Sequence, residues 1–224
     1  MTAALSADSI SRASEDAARA AGAVLFGVAA VPPETPAPFR SYPRAAVAAL
    51  PLSRGVLATC VREPSRAYAC HYRAVNAALD HVATRVAAFL EREGFATYAV
   101  PASHIADWDR MLGAVSHVRL AVRAGLGFVG KNNLLVTPAF GAGVRLVSVF
   151  TDAPLAPAEP AAGDCGACDA CARACPAGAI GDSGWDRDAC LARLREFRKA
   201  VTNQHICGVC VRACAAARAG PAPA

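Results

Sequence analysis

Between Ser65 and Gly94 the apolar side chains Val75, Leu79, Val82, Val86, Phe89 and Leu90 recur at steps of three and four. That period lays them along one stripe of a helix, and Gly94 is well placed to end it. A second helix is predicted over Ser6–Ala21, with Ala17, Ala18, Ala21 and other small residues on one side. AVLFGVAA at Ala23–Ala30 reads as a buried strand, and Ala45–Leu52 and ATYAVPA at Ala96–Ala102 as two more. Leu134–Thr137 and Val144–Thr151 read as strands joined by a glycine-containing turn at Phe140–Gly143. Ser116–Ala124 is a short helix. The prolines of VPPETPAPF forbid a regular ladder, and those of DAPLAPAEPAAG mark a linker near residues 152–163. The mixture predicts an α+β chain without solenoid repeats.

The stretch from Gly125 to Asn133, GLGFVGKNN, contains G-x-G-x-x-G and also G-x-x-x-x-G-K. Both patterns cradle phosphates when a strand precedes the glycines and a helix follows. Here the order is helix, glycines, strand, and Asn132 stands where a P-loop needs a hydroxyl for magnesium. Neither nucleotide reading survives that context. The glycines serve either a tight helix-to-strand turn or a close backbone approach to some other cofactor.

A length of 224 residues, 54% of them hydrophobic, suffices for one sizeable core and a smaller appended unit. The longest apolar run, around Ala20–Val31, is too short to span a bilayer. MTAALSADSISRASED has no basic region ahead of an apolar stretch, so no signal peptide is expected and the expectation is a soluble cytoplasmic protein. A formal charge of +5 is modest. The densest basic segment, LARLREFRKA at Leu191–Ala200, is either a solvated face or a surface for an acidic electron donor or a phosphate backbone.

Ten cysteines change the picture, because thiols clustered in a reducing compartment are metal ligands or redox groups more often than disulfides. CGACDACARACP carries Cys165, Cys168, Cys171 and Cys175 at C-x2-C-x2-C-x3-C-P, the bacterial ferredoxin spacing. Cys190 follows, then Cys207, Cys210 and Cys214 in CGVCVRAC. In that pattern the fourth thiolate of a run serves the other cluster. Cys165, Cys168, Cys171 and Cys214 would therefore hold one [4Fe-4S] cluster, and Cys175, Cys190, Cys207 and Cys210 a second. Structural zinc in two four-thiolate sites is the alternative. Gly166, Gly178 and Gly208 leave the backbone free to curl around the sulfurs. Cys60 and Cys70, far upstream, are expected in the core.

SHVRLAVRAGLGFVGKNNLLVTPAFGAGVRLVSVFTDAPL followed by CGACDACARACPAGAI resembles epoxyqueuosine reductase and its shorter iron–sulfur relatives, over roughly Tyr42–Cys214. The resemblance implies a nitroreductase-like α+β domain over residues 1–155 and a ferredoxin-like domain with two [4Fe-4S] clusters over 156–224. It implies a short form, without the helical-repeat domain with which the tRNA enzyme continues; this sequence runs from Cys214 to GPAPA. It also implies a cobalamin, with Gly125, Gly127, Gly130, Lys131 and Asn132 close to the corrin. The implied function is an iron–sulfur oxidoreductase that takes electrons from a low-potential flavodoxin- or ferredoxin-type donor. It would deliver them to a corrinoid or substrate site, acting on tRNA or a small electrophile. The proton-donating aspartate of such enzymes falls at Met111, which leaves Asp109 as the candidate catalytic acid and Asp107, His104 and His117 as titratable neighbours. The competing expectation is a non-catalytic electron-transfer or corrinoid-handling protein.

Overall fold

The structure, a computed structural model, describes residues 6–181 and 183–218; GPAPA lies outside them. The chain divides into two compact units, each assembled from separated segments.

The first unit comprises residues 1–50, 76–126 and 145–161. Helix α1, Ala7–Ala20, starts where the Ser6 hydroxyl accepts a hydrogen bond from the Ser9 N–H, a cap that satisfies one of the free donors of the first turn. Strands β1 (Leu25–Ala30), β2 (Arg44–Pro51), β3 (Thr97–Val100) and β6 (Val144–Thr151) form one sheet in the order β1-β2-β6-β3. Strands β1 and β2 run antiparallel from Leu25↔Ala49 to Ala30↔Arg44. Strands β3 and β6 run antiparallel from Thr97↔Thr151 to Val100↔Ser148. The two inner strands are buried on both faces, Ala45–Ala49 and Leu146–Thr151 without interruption, so they read as continuous apolar runs rather than alternating ones. Helix α3, Arg66–Arg92, supplies Leu79, Val82, Val86 and Leu90 to the core from the predicted stripe. Helix α4, His117–Arg123, is capped by Ser116 and packs on β1.

The second unit comprises residues 51–75, 127–144 and 162–224. It contains the short helix α2 (Arg54–Ala58) and the two-residue strands β4 (Phe128–Val129) and β5 (Leu135–Val136), which pair with each other. The cysteine-rich part follows as α5 (Ala170–Ala174), the β7–β8 hairpin (Ile180–Gly181 with Gly184–Trp185), α6 (Arg187–Phe197), a π-helical turn (Arg198–Thr202) and α7 (Val209–Arg218). Helix α7 packs against α5 and α2.

The compact units are discontinuous: 51–75 and 127–144 group with the cysteine-rich segment. The strand within Leu134–Thr137 pairs with the glycine loop, and the turn that follows it closes on itself through Thr137↔Gly141. The proline-rich stretch at 152–163 is tied down rather than free. Ala156, Ala158 and Ala161 donate backbone hydrogen bonds to Ser11 Oγ, Val28 O and Val122 O at 2.8, 2.8 and 3.1 Å.

Candidate functional site

The eight clustered cysteines all lie in the second unit and are free thiols. Cys165 and Cys168 share a tight turn in which the Cys168 N–H donates to the Cys165 carbonyl at 3.0 Å. Cys171 sits one turn on, in α5. Its thiol is pushed up by burial and then by the neighbouring thiols of Cys214 and Cys165. Cys190 is pushed up by burial and, among thiols, by Cys175. Cys207 reaches about 11 through burial, with Cys190 and Cys175 adding to the effect. Cys210 reaches about 12 through burial, then Cys207, Cys190, Cys175 and finally Cys171. Cys214 and Cys165 thus neighbour Cys171, while Cys207, Cys190 and Cys175 neighbour Cys210, with Cys171 bordering both sets. Burial thus favours the protonated thiol at Cys171, Cys190, Cys207 and Cys210, so any metal that binds these four must displace protons. Among the described residues no group of three or more His, Cys, Asp or Glu side chains is placed to hold a single metal ion.

Each thiol group is braced by a segment from elsewhere in the unit. At the first, a Cβ added to Gly130 would lie 3.5 Å from Cys165 Sγ, and one on Gly141 would lie 2.9 Å from the Cys214 carbonyl oxygen. The Lys131 ammonium donates to the carbonyls of Gly166 and Cys168, both at 3.0 Å. At the second, Gly208 has φ +80 and faces the Tyr68 ring so closely that a Cβ would stand 2.7 Å from Cε1. Cys60 is fully buried beside it, with its thiol pushed up by burial. Cys70 is the exception to the core expectation: it is exposed on α3, its sulfur accepting from the Arg73 guanidinium at 3.3 Å. Nothing in the local sequence around Cys60 or Tyr68 signals proximity to thiols some 140 residues away.

The glycine loop has a structural account. Gly125, at φ +74, ends α4, with its N–H on Val122 O and the Leu126 N–H on Ala121 O. Gly127 lies against the Val136 carbonyl, where a Cβ would stand at 2.3 Å. Asn132 is buried. Its Oδ1 accepts from the Leu134 N–H at 3.3 Å, and its Nδ2 has no partner among the described residues.

In the first unit, Asp109 is exposed on the loop between β3 and α4. Asp107 closes that loop by exchanging backbone bonds with Leu112 and by accepting from the Arg110 N–H at 2.8 Å. Met111 adopts φ +50 there. His117 behaves differently. Pro101 O lies 3.2 Å from Nε2 and can only accept, so Nε2 carries the proton and Nδ1 accepts from the buried Ser148 hydroxyl at 2.8 Å. Burial lowers its pKa to about 4; the Pro101 bond and Asp80 oppose the shift, while Arg145 and His104 add to it. Arg145 in turn donates to Asn76 Oδ1 and Ala102 O, and Asp80 accepts from the Ala102 N–H. The result is a satisfied polar network around a neutral imidazole.

The chain is thus a mixed α/β protein with eight free thiols gathered in one unit. No protein-family model matches the chain. It is 36% identical over 87 residues to epoxyqueuosine reductase of Listeria monocytogenes, covering 38% of this chain and 23% of that protein. It is 42% identical over 106 residues to tetrachloroethene reductive dehalogenase of Dehalobacter restrictus, covering 46% of this chain and 17% of that protein. The matches thus span about a quarter or less of these relatives' length. Among solved structures, a reductive dehalogenase described in terms of B12-dependent dehalogenation superposes with TM-score 0.80 at 19% identity, covering 96% of this chain and 32% of the other. Epoxyqueuosine reductase from Streptococcus thermophilus gives 0.64 at 22%, covering 95% and 67%. At those identities the structural likeness concerns the fold. Sequence and fold together relate the chain to reductases of these two kinds. Among the described residues no helix is long and apolar enough to cross a membrane.

Proposed function

We propose that the chain is the electron-relaying part of an iron–sulfur reductase. Cys165, Cys168, Cys171 and Cys214 would hold one [4Fe-4S] cluster; Cys175, Cys190, Cys207 and Cys210 would hold the other. The observation that carries this reading is the gathering of eight free thiols in one compact unit, where α5, bearing Cys171, packs against α7, bearing Cys210 and Cys214. The donor set fits the clusters. All eight thiols are free, and the positive φ values of Gly166, Gly178 and Gly208 let the backbone turn at the cysteine pairs. In that reading residues 1–155 correspond to a nitroreductase-like domain and 156–224 to a ferredoxin-like one, the latter braced by 51–75 and 127–144.

The electrons go to a corrinoid or directly to substrate. A corrinoid, when bound, supplies a strongly reducing centre for cleaving an electrophilic bond. The B12-dependent dehalogenase among the solved relatives supports that acceptor. The corrin-facing role expected of Gly125, Gly127, Gly130 and Lys131 competes with the contacts these residues already make to their own unit, so we assign the loop to the first cluster. The substrate class is a small electrophile or modified tRNA. The higher TM-score to the dehalogenase favours the small electrophile. A low-potential acidic donor of flavodoxin or ferredoxin type has a plausible seat. Arg66, Arg198, Lys199 and Asn203 line a cleft of about 480 Å³, and none of the three cations is ion-paired among the described residues. Non-catalytic electron transfer is the second reading, favoured by the exposure of Asp109 and by Met111 at the position the resemblance gives to the proton donor.

The test is anaerobic isolation followed by metal analysis and spectroscopy. The reading expects about eight irons per chain and a broad visible absorbance. Cobalamin added afterwards should change its own visible spectrum. Colourless protein, or zinc in place of iron, would remove the electron-relay function, and an unperturbed cobalamin spectrum would remove the corrinoid alone.

A further inference from the structure

We infer that Asn132, backed by Lys131, sets the reduction potential of the cluster at Cys165, Cys168, Cys171 and Cys214. The inference rests on the cluster reading above and adds to it a residue that is no ligand. Asn132 is 4% exposed. Its Oδ1 is engaged by the Leu134 N–H, which fixes the orientation of the amide, and its Nδ2 is left as a buried donor with no partner among the described residues. An unsatisfied buried N–H is costly, and one that persists at a site asks for an acceptor.

The candidate acceptor is the sulfur of Cys165. A Cβ on Gly130 would meet Val136 Cγ2 at 2.6 Å, Asn132 Oδ1 at 3.0 Å and Cys165 Sγ at 3.5 Å, so the carboxamide and the sulfur border the same glycine. A side chain at position 130 would stand against both. Lys131 adds the second constraint. By holding the carbonyls of Gly166 and Cys168 at 3.0 Å it fixes the turn that carries the first two thiols, and with it the separation between that turn and Asn132. Hydrogen bonds to cluster sulfur favour the reduced, more negative state and raise the potential. Asn132 is therefore a positioning and tuning residue, and Lys131 holds the loop on which the tuning depends. This also accounts for asparagine at the position where a phosphate loop needs a hydroxyl.

The experiment is an EPR-monitored redox titration of the holoprotein, with iron determined on each sample. N132D removes the donor and adds charge at nearly constant shape; N132L removes the donor without charge. Both are expected to lower the potential of one cluster only. At fixed poise its reduced-to-oxidised ratio should fall about tenfold, equivalent to about 59 mV for a one-electron couple. The other cluster is the internal control and should not move. K131M should shift the same signal and K131R should restore it. Unchanged potentials in both Asn132 variants at full iron content would reduce Asn132 to a turn-former and overturn the inference. Loss of four irons from both variants, with the second signal intact, would overturn it in favour of a role in assembly. Wild-type protein without iron–sulfur signals would instead strike the cluster reading on which it stands.

Discussion

Acidification from pH 7 to pH 4 should weaken the sheet-bearing unit through His117. The imidazole is neutral in the folded chain, with Nε2–H on the Pro101 carbonyl and Nδ1 accepting from Ser148. Burial holds its pKa at about 4, against an ordinary value of 6.5. Below pH 6.5 the unfolded chain takes up a proton that the folded chain refuses. Stability attributable to this ring is thus fully present above 6.5, is lost progressively as the pH falls toward 4, and declines no further below it. A shift of that size corresponds to roughly 3 kcal/mol, a large share of the stability of a small domain. The assay is anaerobic urea unfolding followed by circular dichroism at several pH values, comparing wild type with H117Q, which cannot titrate. Tryptophan fluorescence would report poorly on this unit, because Trp108 is 69% exposed and Trp185 belongs to the other unit. His205 also has a lowered pKa, from burial and from Arg198 and Arg195, so only the difference between the two proteins isolates His117. Parallel pH profiles for wild type and H117Q between 6.5 and 4 would refute the argument.

Further outcomes are expected. C171S should remove about four of about eight irons and one EPR signal while leaving the other, and uniform loss of both would contradict the assignment of ligands. G208A should cost about 1–3 kcal/mol through contact with the Tyr68 ring, whereas G178A, with open space around it, should cost only the strain of its φ of +59; equal thermal shifts would refute the packing account. In metal-free protein at pH 8, alkylation mapped by mass spectrometry should reach exposed Cys70 and Cys168 first and Cys207 and Cys210 last. Reduction by an acidic flavodoxin should weaken steeply with salt, and charge-neutral substitution of Arg198 and Lys199 should flatten that dependence; salt-independent rates would remove the cleft as a docking site.

The local part of this architecture was readable from residue order alone. Period and capping residues marked α1, α3 and α4 to within a residue or two, because those signals live within one element. The buried strands were legible for the same reason. The cysteine spacing marked the segment in which the eight free thiols gather. What sequence reasoning missed depends on contacts between distant segments. The partners of Lys131 are 35 and 37 residues away, and the ring against Gly208 is 140 away. The loop GLGFVGKNN looked like a cofactor cradle because glycine spacing records that backbone comes close to something, without recording what. Here a helix end, the Val136 carbonyl and the Val136 side chain account for its three glycines.

The discontinuous make-up of the cysteine-bearing unit has a consequence for how the protein matures. Two of its three segments leave the ribosome long before the last thiol, and must wait while 145–161 is threaded into the other unit. In the proposed assignment one site gains its last donor only at Cys210 and the other only at Cys214, so metal loading would be a late event in biogenesis. By the same logic, a gene fragment encoding only 162–224 carries every ligand yet lacks the residues that brace them, and should prove a poor miniature ferredoxin.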